Sequence, residues 1–297
     1  MTLRDPFGRR VTGLRVAVTP RCNLACLYCH HEGEVGSPHR VISADEIAKV
    51  ISAGADLGIR KVKLTGGEPL LRDDLESILL RLPEGVEVSL TTNGILLAER
   101  AESLAAAGLA RVNVSLDSLR PAVFSGITGG TAADHRRVLE GIDAALGAGL
   151  LPVKVNFVVL KENEGEVWKM VDFARDRSVV LQLIELLDQP GRGVGGDLSG
   201  IEAALEARAE DVVTRDMQRR RKYFISGAEV EVVRPMDNTE FCAHCNRLRV
   251  TSDGKLKPCL LRNDNLVDLA GADLEEMKRR IERAVLLRSP YFCARDR

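Results

Sequence analysis

No stretch of this 297-residue chain approaches the roughly 20 unbroken apolar residues that cross a bilayer, so no membrane span is expected. The opening residues, Met1 to Arg10, lack the apolar centre of a secretory signal. Net charge is almost nil, because 42 basic and 43 acidic residues leave −1. Such a chain has no global field to hold nucleic acid or an anionic membrane, and any anionic ligand must be caught by a local basic pocket. There is no internal repeat and no low-complexity tract. The cytoplasm is the expected compartment, and there a disulfide framework is not supported. Seven cysteines therefore need another reason. In tight spacings they point to metal ligands or catalytic thiols.

A 45% apolar content suffices for one barrel-like core or two modest domains. Strand-like runs fall at Leu14–Thr19, Lys61–Thr65, Val86–Thr91, Arg111–Leu116, Pro152–Leu160 and Val179–Leu187. Helical stretches fall between them: one opened by the capping box Ser43-Ala-Asp-Glu46, then Leu97–Ala107, Asp134–Leu146 and Glu164–Arg175. Six strands alternating with helices predict βα units and an α/β fold with a parallel sheet, either open or closed partway into a barrel. Ligands gather at the C-terminal ends of such strands. The unusual residues do fall there: the first cysteines, Gly66-Gly67, Thr91-Thr92-Asn93-Gly94 and Ser115-Leu116-Asp117.

After Asp188 the pattern changes. Residues 189–200 are glycine-rich and read as a linker or active-site loop. A helix from about Ser199 to Arg208 follows, then a small β-rich region. In it Ser252-Asp253-Gly254 makes a hairpin turn between Leu248–Thr251 and Lys255–Leu261, and an amphipathic helix, Asp273–Leu286, comes last. The expected division is residues 1–190 and 191–297.

Cys22, Cys26 and Cys29 lie within eight residues directly after the first strand. Such a loop can aim three thiolates at one iron–sulfur cubane and leave one iron open. The alternative is a zinc knot with His30 or His31 as fourth ligand. Cys242, Cys245 and, thirteen residues on, Cys259 form a second set, for which spacing alone favours zinc with His244 nearby. Arg247 and Arg249 follow that pair at i and i+2, on one face of an extended segment, and can grip phosphate bidentately. A structural zinc knot has no need of them. Cys293 has no partner at ligand spacing and reads as a free thiol. Phe157, Trp168 and Phe173 read as core.

The C-x3-C-x2-C spacing with Tyr28 before its last cysteine resembles the signature of radical S-adenosylmethionine (SAM) enzymes. Gly66-Gly67-Glu68-Pro69 is similar to that family's glycine motif. The run from Phe241 to Cys259 looks like its GTP 3′,8-cyclase subfamily, which takes the first step of molybdenum cofactor biosynthesis. Cys29-His30-His31-Glu32-Gly33 looks closer to archaeal members. The resemblance covers nearly the whole chain and implies a partial (β/α)6 TIM-like barrel with a C-terminal extension.

It also implies two 4Fe–4S clusters, S-adenosylmethionine as cofactor and GTP as substrate. A 5′-deoxyadenosyl radical would take the ribose 3′ hydrogen, and the product would be 3′,8-cyclo-7,8-dihydro-GTP. Cys22, Cys26 and Cys29 would hold the first cluster, and Cys242, Cys245 and Cys259 the second. Tyr28, Gly66, Gly67, Glu68, Ser115 and Leu187 would contact S-adenosylmethionine. Arg15, Lys63, Thr92, Lys154, Arg247, Leu248 and Arg249 would contact GTP, with Arg15, Lys63 and Gln182 at catalytic positions. Implied partners are an electron donor and a cyclic pyranopterin monophosphate synthase downstream, and a homodimer is left open.

Three positions depart from the pattern: Lys63 and Gln182 stand where arginines are expected, and Leu187 where a methionine is common. The family's Gly-Gly terminus, thought to enter the active site, has no counterpart in the last ten residues here. A peptide-modifying radical enzyme and a non-catalytic cluster-holding module are the rival readings.

Overall fold

The computed structural model describes residues 3–36, 39–187, 193–236 and 238–291. Six strands form the expected parallel series: β1 (Gly13–Ala17), β2 (Lys61–Thr65), β3 (Glu87–Thr92), β4 (Arg111–Ser115), β5 (Lys154–Val158) and β6 (Val180–Ile184). Each pairs in parallel with the next. Along most of them buried apolar residues alternate with polar ones, among them Arg15, Lys63, Asn113 and Lys154, which turn to the opposite face. Outside them lie α1 (Ala44–Asp56), α2 (Leu75–Leu79), α3 (Leu97–Ala106), α4 (Pro121–Thr128), α5 (Ala132–Gly147) and α6 (Val167–Arg177). The Ser43 capping box is present, with Glu46 N–H donating to Ser43 Oγ and Ser43 N–H to the Glu46 carboxylate. A second box, Thr131 with Asp134, starts α5 two residues before the expected helix.

The C-terminal segment adds α7 (Leu198–Glu206), β7 (Asp211–Thr214), β8 (Arg221–Ile225), β9 (Ala228–Val233), α8 (Thr239–Ala243), β10 (Arg247–Val250), β11 (Lys255–Lys257), β12 (Val267–Asp268) and α9 (Leu274–Leu286). Its strands extend the same sheet at both edges. β10 runs parallel to β1, β9 runs parallel to β6, and the order is β12-β11-β10-β1-β2-β3-β4-β5-β6-β9-β8-β7. The sheet stays open in its hydrogen bonding, as expected of a partial barrel. The β10–β11 hairpin turns where the sequence placed it, with Gly254 at φ +84°.

Phe157 is fully buried and Phe173 nearly so. Trp168 differs from its expected core role. It packs only partly against the core, and Arg208 lies 4.0 Å above its ring. Cys293 and the last residues, like 189–192 of the glycine-rich stretch, lie outside the described residues.

Candidate active site

The strands' C-terminal ends and the C-terminal segment enclose a cavity of about 870 Å³ lined by all six cysteines of the two sets. The first set sits on a loop anchored by backbone. Ala25 and Leu27 N–H donate to Thr128 and Ile127 at the end of α4, at 2.9 Å each. Gly66 and Gly67 press against the start of this loop. A Cβ on Gly67 would lie 2.2 Å from the Arg21 carbonyl, and one on Gly66 2.4 Å from that of Thr19. Only glycine permits that approach, and Gly66 also has φ +150°. The two glycines line the cavity as well, so the motif both seats the loop and opens backbone to a ligand.

Glu68 does not line the cavity. It is buried behind it, where its carboxylate accepts from Leu70 N–H, Thr92 Oγ1 and Asn93 N–H at 2.7–2.9 Å. Burial raises its pKa to about 7 against those donors. Asn93 in turn reaches Asn23 in the cysteine loop at 2.7 Å. Tyr28 donates from its hydroxyl to Asp117, which also accepts from Val158 N–H, and burial pushes Asp117 up to about 6. Ser115 and Leu187 reach the cavity wall.

The second set is braced from both chain ends. Arg9 donates to the Cys242 carbonyl at 2.9 Å and Arg288 to that of Cys245 at 2.7 Å, and both arginines pair with buried Asp5. Burial pushes the Cys245 thiol up, but Arg288 and then Arg247 outweigh it and the pKa falls. Cys26 goes the other way, to about 12, through burial and then Asp117.

His244 does not line the cavity. Its Nδ1 meets the Glu240 carbonyl at 3.0 Å, and its side chain stays off the wall on which Cys242, Cys245 and Cys259 lie. Among the described residues no three His, Cys, Asp or Glu converge as ligands of one metal ion. His30 and His31 do line the cavity beside the first set, His31 Nδ1 lying 3.8 Å from Cys29 Sγ. Three thiols per set is the donor chemistry of a cubane with one open iron.

Cations crowd the wall between the sets. Arg15, Lys63, Lys154, Arg247 and Arg249 all line the cavity, as does Thr92. Burial, followed by Arg15 and Arg247, pushes Lys63 well below the usual lysine range, and its Nζ donates to Asn113 Oδ1 at 2.7 Å. Arg247 is driven down by burial and then Arg220.

Leu248 corrects the sequence reading. Strand alternation turns its side chain to the opposite face from the two arginines, and it is fully buried in the core and absent from the cavity wall. Gln182 lines the cavity without a charge, accepting from Asn113 Nδ2 at 2.9 Å and donating to Glu231 at 2.7 Å.

Two carboxylates were missed. Glu32 holds Arg15 at 3.0 Å and Arg249 at 3.1 Å, and accepts from Thr65 Oγ1. Fully buried Glu231 gathers Lys154, Arg215 and Arg220 at 2.8, 2.9 and 3.4 Å. The available signal was the run Arg219-Arg220-Arg221-Lys222, a basic excess in need of a counter-charge.

Comparison with known proteins agrees with this geometry. A model of the radical SAM superfamily matches residues 16–174. The chain belongs to the radical SAM superfamily. A second model, Molybdenum Cofactor Synthesis C, matches residues 196–292 of this radical SAM protein. A Methanosarcina mazei protein named "Probable GTP 3′,8-cyclase" is 52% identical over 98% of this chain and 90% of its own length. An Archaeoglobus fulgidus protein of the same name is 49% identical over 98% and 99%.

Solved radical SAM structures share the fold. Streptococcus suis SuiB bound to S-adenosylmethionine gives a TM-score of 0.69 at 17% identity, covering 89% of this chain. This chain spans 65% of the SuiB chain. A structure of anSMEcpe with bound AdoMet gives 0.65 at 16% identity, over 91% of this radical SAM chain and 81% of its own.

Proposed function

We propose that this protein converts GTP to 3′,8-cyclo-7,8-dihydro-GTP, the first step of molybdenum cofactor biosynthesis. The observation that carries this reading is that both three-thiol sets open into one cavity whose wall between them is cationic. Cys22, Cys26 and Cys29 hold one 4Fe–4S cluster, and Cys242, Cys245 and Cys259 hold the other. When bound, the clusters and S-adenosylmethionine supply one-electron chemistry able to remove a ribose hydrogen.

The chain's own residues bind and orient. Tyr28, Gly66, Gly67, Ser115 and Leu187 form the S-adenosylmethionine side of the cavity, with Glu68 fixing the loop from behind. Arg15, Lys63, Lys154, Arg247 and Arg249 take the triphosphate, and Thr92 offers a hydroxyl held by Glu68. Arg15 and Lys63 are register partners on β1 and β2, Asn113 links Lys63 to Gln182, and the three place the reacting ribose. Burial and the neighbouring arginines lower the Lys63 pKa, which suits it to proton movement there.

Residues 1–190 then form the radical domain and 191–297 complete the substrate site. An external electron donor and a downstream cyclic pyranopterin monophosphate synthase complete the sequence of reactions, in the cytoplasm.

The test is anaerobic reconstitution with iron and sulfide, then S-adenosylmethionine, a strong reductant and GTP, followed by mass spectrometry. Cyclic nucleotide and 5′-deoxyadenosine together, with the nucleotide product lost in Cys242→Ala, support the reading. If 5′-deoxyadenosine forms while GTP returns unchanged, the substrate assignment falls.

A further inference from the structure

The cavity wall at β5, β6 and β9 holds more positive charge than its partners balance. Lys154, Arg215 and Arg220 share one carboxylate, Glu231, whose side chain is fully buried. Gln182, the other polar group on Glu231, adds no charge. Among the described residues one negative charge meets these three positive ones, and the Lys154 and Arg220 side chains are largely withdrawn from water, where unpaired charge is costly.

Arg220 shows where the deficit lies. Its side chain is 8% exposed, and its Nη atoms reach Gln218 and Glu231, yet its buried Nε has no hydrogen-bond partner among the described residues. Arg215 is tied to it, since Arg215 N–H donates to the Arg220 carbonyl at 2.8 Å. Both side chains line the cavity, whereas Arg221 between them and Lys222 leaves it to pair with Glu206 on α7.

We infer that Arg215 and Arg220, aimed by Glu231, form a polyphosphate-binding subsite with Lys154. Forked guanidinium donors match phosphate oxygens, and a polyphosphate supplies the multiple negative charge this wall lacks. The inference deepens the proposed GTP reading, adding two specificity-determining residues, and rests on it for the identity of the natural ligand.

The probe is inorganic tripolyphosphate, titrated calorimetrically into anaerobically reconstituted holoenzyme and its Arg215→Gln, Arg220→Gln and Arg221→Gln variants. A charge-assisted hydrogen bond is worth about 1.5–3 kcal/mol, so the first two variants should bind about ten- to a hundredfold more weakly. Arg221→Gln should bind as the parent does. Arg215 is a third exposed, so its variant keeps the test decisive should Arg220→Gln not fold.

Undiminished affinity in Arg215→Gln, or a parent protein that does not bind tripolyphosphate, overturns the inference. If tripolyphosphate binding falls as expected while the parent leaves GTP unchanged, the subsite stands and the substrate reading falls.

Discussion

Arg15 on β1 and Arg249 on β10 are direct register partners, and each grips a different oxygen of the Glu32 carboxylate. The two guanidiniums would repel across adjacent strands without it. Burial raises the Glu32 pKa, but Arg15 and then Arg249 outweigh burial and hold it at about 2, below the ordinary 4.5. A depressed carboxylate contributes stability that is present above about pH 4.5 and is lost as pH falls toward 2. Glu32→Gln should therefore lower unfolding free energy near neutrality by on the order of 2 kcal/mol and flatten the acid limb of the stability profile. Chemical denaturation between pH 2.5 and 7 reads both effects. An unchanged acid limb would mean that the pair does not depend on Glu32.

Glu68 acts at one remove from the first cluster, through Asn93 to Asn23. Glu68→Ala leaves Leu70 and Asn93 N–H groups without their acceptor, at a cost of about 2 kcal/mol or more. The variant should retain all its cysteines yet hold less iron after reconstitution and form less 5′-deoxyadenosine. Iron analysis beside a thermal melt separates loop loosening from general unfolding.

Gly67→Ala places a methyl group against the Arg21 carbonyl, and backbone on both sides has little room to yield. Overpacking of this kind costs about 1–3 kcal/mol. The expected result is a lower melting temperature together with weak S-adenosylmethionine binding, measured by equilibrium dialysis. Gly85→Ala has open space but φ +77°, so it reports backbone strain alone far from the site.

Leu248 and Arg249 are neighbours with opposite duties. Leu248→Ala should cost about 2–5 kcal/mol of stability and leave the KM for GTP near that of the parent. Arg249→Gln should raise that KM about tenfold or more through loss of a charged phosphate contact. Parallel melts and steady-state assays decide the matter, and a large KM change in Leu248→Ala would restore it to the substrate wall.

The six βα units were readable because each strand is a short run of buried β-formers between turn residues, and Ser43 with Glu46 announces a helix locally. The first cysteine set was readable from its spacing, whereas spacing alone favoured zinc for the second and the neighbouring Arg247 and Arg249 turned that reading. What escaped depends on pairing across the chain. Nothing near Arg247 says that its strand will lie against Gly13 rather than inside a separate domain. Glu231 belongs to the run Ala228–Val233, where glutamates alternate with apolar residues and suggest a solvent-facing side. It is instead fully buried, because three cations from β5 and the β7–β8 turn meet it there. Leu248 was placed at the substrate by the family resemblance, although alternation along a strand was enough to separate its side chain from those of the two arginines.

The sheet order also sets a timetable for folding. β1 leaves the ribosome long before the strand that lies beside it, β10, which begins at Arg247. Contacts between residues so far apart in sequence form slowly and late. During synthesis the six-stranded core can gather with its β1 edge bare, a surface on which another chain's strand could pair. The joining of β10 removes that hazard and, in the same event, brings Arg249 to Arg15 and the second cysteine set to the cavity. A nascent chain therefore has no complete substrate site to protect, and iron delivered before release would find only the first set within a finished wall.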